Sequence, residues 1–106
     1  MKKYAIIVAG GTGKRMGSNI PKQFLLIKNK PLIYYSIKTF YDAFDDLQII
    51  LVLPVSYMDR GEEIIDGYFD KERIRITAGG DSRFQSVKNG LKLVEDESIV
   101  FVHAKS

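Results

Sequence analysis

Tyr4-Ala5-Ile6-Ile7-Val8-Ala9-Gly10-Gly11-Thr12-Gly13-Lys14-Arg15-Met16-Gly17 is the stretch whose reading decides the fold. Its first six residues form an apolar run that reads as a buried strand. Three glycines within residues 10–13 then let the backbone turn tightly and approach a ligand closely. Backbone N–H groups in such a turn converge on phosphate oxygens, and Lys14 and Arg15 add charge beside them. The stretch therefore predicts a phosphate-handling site at the mouth of an α/β sheet. It matches neither of two familiar glycine motifs. A P-loop would need glycine where Val8 stands and a hydroxyl where Arg15 stands. The dinucleotide fingerprint accepts Gly11 and Gly13 but finds Met16 in its third place, with Gly17 one residue late.

Beyond the loop, Pro21 fixes the entry to an extended segment, and Phe24-Leu25-Leu26-Ile27 predicts a short strand ended by Lys28-Asn29-Lys30-Pro31. Between residues 32 and 44 the period changes. Ile33, Ile37, Phe40 and Phe44 share one helical face, with Pro31 suited to the first turn. Gln48 to Leu53 is a second buried strand. A helix starting at Ser56 or Asp59 and running to about Phe69 follows, with Ile64, Ile65, Tyr68 and Phe69 inward; Gly61 and Gly67 weaken it. Ile74 to Thr77 predicts a half-exposed strand. Gly79-Gly80-Asp81-Ser82 opens a third helix, capped by Ser82 with Gln85 or by Asp81, whose apolar spacing is Phe84, Val87, Leu91 and Val94. Ile99 to Val102 is the last strand.

Strands alternating with helices imply a largely parallel sheet with helices on both faces, in one domain spanning residues 1–106. In such sheets ligands sit beyond the carboxyl ends of the strands. Both glycine turns follow strands, so both are expected at that edge.

Composition narrows the classes. The chain contains no cysteine, which excludes a disulfide scaffold and a thiolate metal site. No apolar run approaches a membrane span and no signal peptide is recognisable, so the cytoplasm is expected. The net charge of +3 is unevenly spread: residues 1–41 hold eight basic residues and no acid, and residues 42–106 hold eight basic and thirteen acidic ones. A basic half around a glycine turn favours anionic ligands. There is no basic recognition helix and no aromatic–basic interleaving, which argues against nucleic acid.

Among candidate residues, Arg15 and Lys22 suit transfer at a nucleotide's α-phosphorus, where fixed cations meet the charge on the equatorial oxygens and departing pyrophosphate. Gly79 to Ser86 either offers N–H groups and small hydroxyls to a base or ribose, or is a plain tight turn with its cap. His103, the single histidine, either contacts substrate or is a surface imidazole.

Residues 6–17, Pro21-Lys22-Gln23, Gly79-Gly80-Asp81-Ser82-Arg83-Phe84-Gln85-Ser86-Val87-Lys88-Asn89-Gly90-Leu91 and Val102-His103 together resemble the 2-C-methyl-D-erythritol 4-phosphate cytidylyltransferases of the nonmevalonate route to isoprenoids. The resemblance runs through the whole chain and covers about the first half of such an enzyme. It implies a Rossmann-like nucleotidyltransferase fold, incomplete at the carboxyl end, that binds CTP and Mg²⁺ and forms homodimers at full length. By matching position, Ala9, Gly10, Gly11, Thr12 and Gly13 would cradle the nucleotide. Arg15 and Lys22 would stabilise the transition state, and Gly80, Asp81 and Ser86 would hold cytosine and ribose. A ribitol-5-phosphate cytidylyltransferase shares the loop and the lysine. Two departures stand out. The family usually reads Ala-Ala-Gly where this chain has Ala9-Gly10-Gly11. It also continues Val-His-Asp, with the Asp holding Mg²⁺, where this chain has Val102-His103-Ala104, so an inactive nucleotide-binding fragment is a further reading. A dinucleotide-dependent oxidoreductase is disfavoured by the glycine spacing.

Overall fold

The central sheet is built from four strands, of which the inner two are buried on both faces and the outer two are partly exposed. The computed structural model describes residues 2–9 and 22–104. In chain order these form β1 (Lys2–Val8), β2 (Leu26–Ile27), β3 (Lys30–Pro31), α1 (Leu32–Ala43), β4 (Leu47–Leu53), α2 (Met58–Tyr68), β5 (Ile74–Ala78), α3 (Arg83–Leu91) and β6 (Ser98–Ala104). The sheet order is β5-β4-β1-β6 and every pairing in it is parallel. The chain thus steps outward from β1 through β4 to β5, then returns to lay β6 on the other side of β1. Strand order reverses between β1 and β6, where crevices form in doubly wound sheets.

Period-2 alternation sends each strand's residues into two separate cores. One face buries Ala5, Ile7, Leu47, Ile49, Leu51, Leu53 and Ile74 under Ile33 and Ile37 of α1 and Ile64 and Ile65 of α2. The other buries Tyr4, Ile6, Val8, Ile50 and Val52 under Val87, Leu93 and Val94. Helices therefore cover both faces, as expected for this Rossmann-like arrangement. The charge asymmetry of the sequence is partly folded away. Lys2 meets Glu95 at 2.8 Å, Lys3 meets Asp46 at 3.3 Å and Lys38 meets Asp42 at 2.7 Å. The hydrogen bonds that Lys2 and Lys38 donate to Glu95 and Asp42 raise the pKa values of the two lysines.

Several local expectations are corrected. Phe24 to Ile27 is not one strand: Lys22–Phe24 is a single 3-10 turn, and Leu26–Ile27 pairs with Lys30–Pro31 as a small antiparallel hairpin. Lys28 (φ 52°) and Asn29 (φ 70°) are both left-handed, the conformation a two-residue hairpin turn demands. Pro31 is the N-cap of α1 and not part of its first turn. Tyr68 is half-exposed, lying edge-on to Tyr34 at 4.9 Å. In α3, Phe84 is 77% exposed and Leu91 44% exposed; the buried positions are Ser86 and Gly90. The helix lies so close to the sheet that a Cβ on Gly90 would come within 2.9 Å of Ile6 Cγ2. Small residues therefore make the contact, which a search for apolar spacing overlooks.

Gly61 is likewise a packing residue. A Cβ there would stand 2.3 Å from Leu53 Cδ1, so its glycine lets α2 close onto the sheet. Arg73, just before β5, ties that strand's start to the end of α1 and the start of β4. Its guanidinium donates to the carbonyls of Tyr41, Phe44 and Leu47 and lies over the Tyr41 ring at 4.1 Å. Among the described residues no helix is long and apolar enough to cross a membrane.

Candidate functional site

The carboxyl end of β4 organises the site. Two consecutive carbonyls there each receive an amide from a neighbouring strand's end: Ala9 N–H donates to Val52 O at 2.9 Å, and Gly79 N–H donates to Leu53 O at 2.7 Å. Ala9 is the last described residue before the first glycine turn, and Gly79 begins the second. The starts of both corners thus flank β4 on one edge of the sheet, two strand spacings or roughly 10 Å apart. Gly10, Gly11, Thr12, Gly13 and Arg15 lie outside the described residues.

Lys22 is described by its backbone alone, in the 3-10 turn Lys22–Phe24. The other two residues of that turn anchor it: Gln23 and Phe24 are buried, and the Phe24 ring lies 4.9 Å from that of Tyr57. Tyr57 ends the short turn Val55–Tyr57 that comes after Pro54 at the end of β4. The backbone carrying Lys22 is therefore attached to the same sheet edge as the two corners.

The second corner is held by α3. Ser82 is the N-cap, and its Oγ accepts from Gln85 N–H at 3.1 Å, leaving Asp81 exposed and outside the cap. The reciprocal half of a capping box is not made; Gln85 Nε2 instead donates to Asn89 Oδ1 at 2.9 Å. Ser86 is 3% exposed, and its Oγ accepts from Gly80 N–H at 3.0 Å. Of the residues expected to meet base and ribose, Gly80 and Asp81 are exposed at the edge, whereas Ser86 sits behind them and supports Gly80. Asn89 was not among the expected site residues. Its signal is present in the sequence: Ser82, Ser86 and Asn89 recur at i, i+4 and i+7, a polar stripe on one helical face.

His103 lies on β6 in register with Ile7, half-buried, with its ring edge-on to Phe40 at 5.9 Å. This places it on the face of the sheet that carries α1. Among the described residues the expected Mg²⁺ finds no protein cage. Among the described residues no three His, Cys, Asp or Glu side chains gather to hold a metal ion. Ala104, in register with Val8 at the switch point, occupies the position where the resemblance expects a carboxylate. The described residues alone therefore do not form a protein-held Mg²⁺ site.

A sequence model of IspD, 2-C-methyl-D-erythritol 4-phosphate cytidylyltransferase, matches residues 3–106. The 2-C-methyl-D-erythritol 4-phosphate cytidylyltransferase of Phocaeicola vulgatus is 47% identical over 103 residues, covering 97% of this chain and 47% of that protein. The chain thus spans about half the length of the curated relatives it matches. Among solved structures, 4-diphosphocytidyl-2C-methyl-D-erythritol synthase from Anaerococcus prevotii superposes with a TM-score of 0.77 at 24% identity, covering 97% of this chain and 42% of that one. The bifunctional IspDF from Campylobacter jejuni superposes with a TM-score of 0.73 at 26% identity, covering 96% and 26% respectively.

Proposed function

The chain belongs to the 2-C-methyl-D-erythritol 4-phosphate cytidylyltransferase family, and we propose from that premise that it forms the nucleotide-binding part of an enzyme moving a cytidylyl group from CTP to 2-C-methyl-D-erythritol 4-phosphate. An oxygen of the substrate's phosphate attacks the α-phosphorus, the bond to the bridging oxygen breaks, and pyrophosphate leaves with the electron pair. The backbone from Ala9 to Gly13 cradles the phosphates. Arg15 and Lys22 meet the charge that grows on the equatorial and leaving oxygens. Gly80 and Asp81 face the base and ribose, with Ser86 behind them. The protein is a homodimer at full length, a soluble enzyme of the cytoplasm, with small molecules and not nucleic acid as its ligands.

The observation that carries this reading is the pair of amide bonds to Val52 and Leu53, which brings the starts of both glycine corners to one edge. A base and its phosphates are separated by a comparable span. Calorimetry of CTP, ATP and NAD in Mg²⁺ buffer tests the ligand, and release of pyrophosphate on addition of methylerythritol phosphate tests the reaction. CTP is expected to bind best in the intact gene product, and Lys22→Met is expected to lower its kcat about a hundredfold or more. Preference for ATP or NAD would overturn the assignment. Ala104 favours a second reading, in which residues 1–106 alone bind CTP weakly and turn over negligibly; normal rates from that chain would refute it.

A further inference from the structure

We propose that Asn89 and Gln85 are positioning residues that set the shape of the Gly79-Gly80 corner and, through it, the affinity and base selectivity of the nucleotide site. The inference rests on the reading that this corner faces the base. The corner is fixed from several directions at once. Gly79 N–H is held by Leu53 O and Gly80 N–H by Ser86 Oγ. Just before them, the carbonyl of Ala78 accepts from Asn89 Nδ2 at 3.1 Å. Asn89 Oδ1 in turn takes Gln85 Nε2, so one amide spans the end of β5 and a side chain in the first turn of α3.

Gln85 has a second contact that gives the tie its leverage. A Cβ built on Gly80 would fall 2.2 Å from Gln85 Cγ and 2.7 Å from its Cβ. The aliphatic stem of Gln85 is thus the surface on which the Gly80 backbone rests, and the bond to Asn89 holds that stem. Asn89 is half-buried, so its donor is partly sheltered from competing water. Hydrogen bonds weaken steeply with distance and angle, so a corner displaced by a fraction of an ångström presents its remaining peptide groups poorly to a ligand. The Asn89 amide thus joins the strand end to the Gln85 side chain, and the Gln85 stem carries that tie to Gly80.

The test uses the intact gene product. Asn89→Asp keeps the size and the acceptor for Gln85 but turns an oxygen toward Ala78 O. Gln85→Met keeps the stem under Gly80 and removes only the amide, and it secures a folded variant if Asn89→Asp is poorly tolerated. Lys88→Ala, exposed on the same helix, is the control. Amide exchange at Gly80 is read by NMR without nucleotide, and CTP and UTP affinities are read by calorimetry. Both variants are expected to speed Gly80 exchange and to weaken CTP binding about three- to tenfold, with a smaller CTP-to-UTP preference; Lys88→Ala changes neither. Unchanged Gly80 exchange in both folded variants overturns the positioning role. If the wild-type protein binds no CTP while both variants still speed Gly80 exchange, the nucleotide reading is overturned and the tie that shapes the corner is upheld.

Discussion

The two glycines of α2 offer one substitution with opposite consequences. Gly61 and Gly67 both lie within Met58–Tyr68, and on helix propensity alone alanine at either site should gain up to about 1 kcal/mol. Their surroundings differ. A Cβ at Gly67 meets nothing within 4 Å, whereas at Gly61 it stands 2.3 Å from Leu53 Cδ1. Carbon atoms in contact normally sit roughly 3.5–4.0 Å apart, so the new methyl is more than an ångström too close. Leu53 is fully buried, and relieving the clash means repacking the core beneath α2 at about 1–3 kcal/mol. We expect Gly67→Ala to stabilise by about 0.5–1 kcal/mol and Gly61→Ala to destabilise by about 1 kcal/mol. Urea unfolding followed by circular dichroism at fixed m-value measures both. Leu53→Val, which withdraws the clashing methyl, completes a double-mutant cycle, and the pair should be more stable than additivity predicts by about 1 kcal/mol. Because Leu53 also accepts the Gly79 amide, Gly61→Ala should weaken CTP binding while Gly67→Ala leaves it unchanged. If Gly61→Ala stabilised as much as Gly67→Ala, or if the cycle were additive, the packing argument would be wrong.

Arg73→Ala should cost about 2–3 kcal/mol, since three carbonyls around the end of α1 lose their donor and the Tyr41 ring loses its cation; Arg73→Lys should recover only part, because an ammonium cannot reproduce the planar fork. Thermal unfolding of the three proteins ranks them. Lys28→Gly should stabilise by about 0.5–1 kcal/mol by placing glycine where φ is 52°, with no effect on CTP affinity; a loss of stability in denaturant titration would show the hairpin turn to be misread.

Much of the framework is written locally. The runs from Tyr4 to Ala9 and from Ile49 to Leu53 are apolar at successive positions, so each reads as an interior strand. Their alternation with helical periodicity dictated parallel pairing and helices on both sides. Because parallel strands share one carboxyl edge, the sequence also implied that the two strand ends leading into its glycine turns, at Ala9 and Gly79, can lie on the same side. What it did not determine are the contacts set by how closely elements approach. The polar and small face of α3, Ser86 and Gly90, is buried while Phe84 is exposed, because the helix rests on Ile6 and Val52 at a distance that excludes bulk. Gly61 reads as a helix breaker until Leu53 is seen beneath it. Phe24 reads as strand until Tyr57, brought from beyond β4, pulls it into a turn. The bonds from Ala9 and Gly79 to adjacent carbonyls of one strand depend on the order β5-β4-β1, which is long-range geometry. Local periodicity reports which residues leave water; only the assembled sheet reports which of them meet.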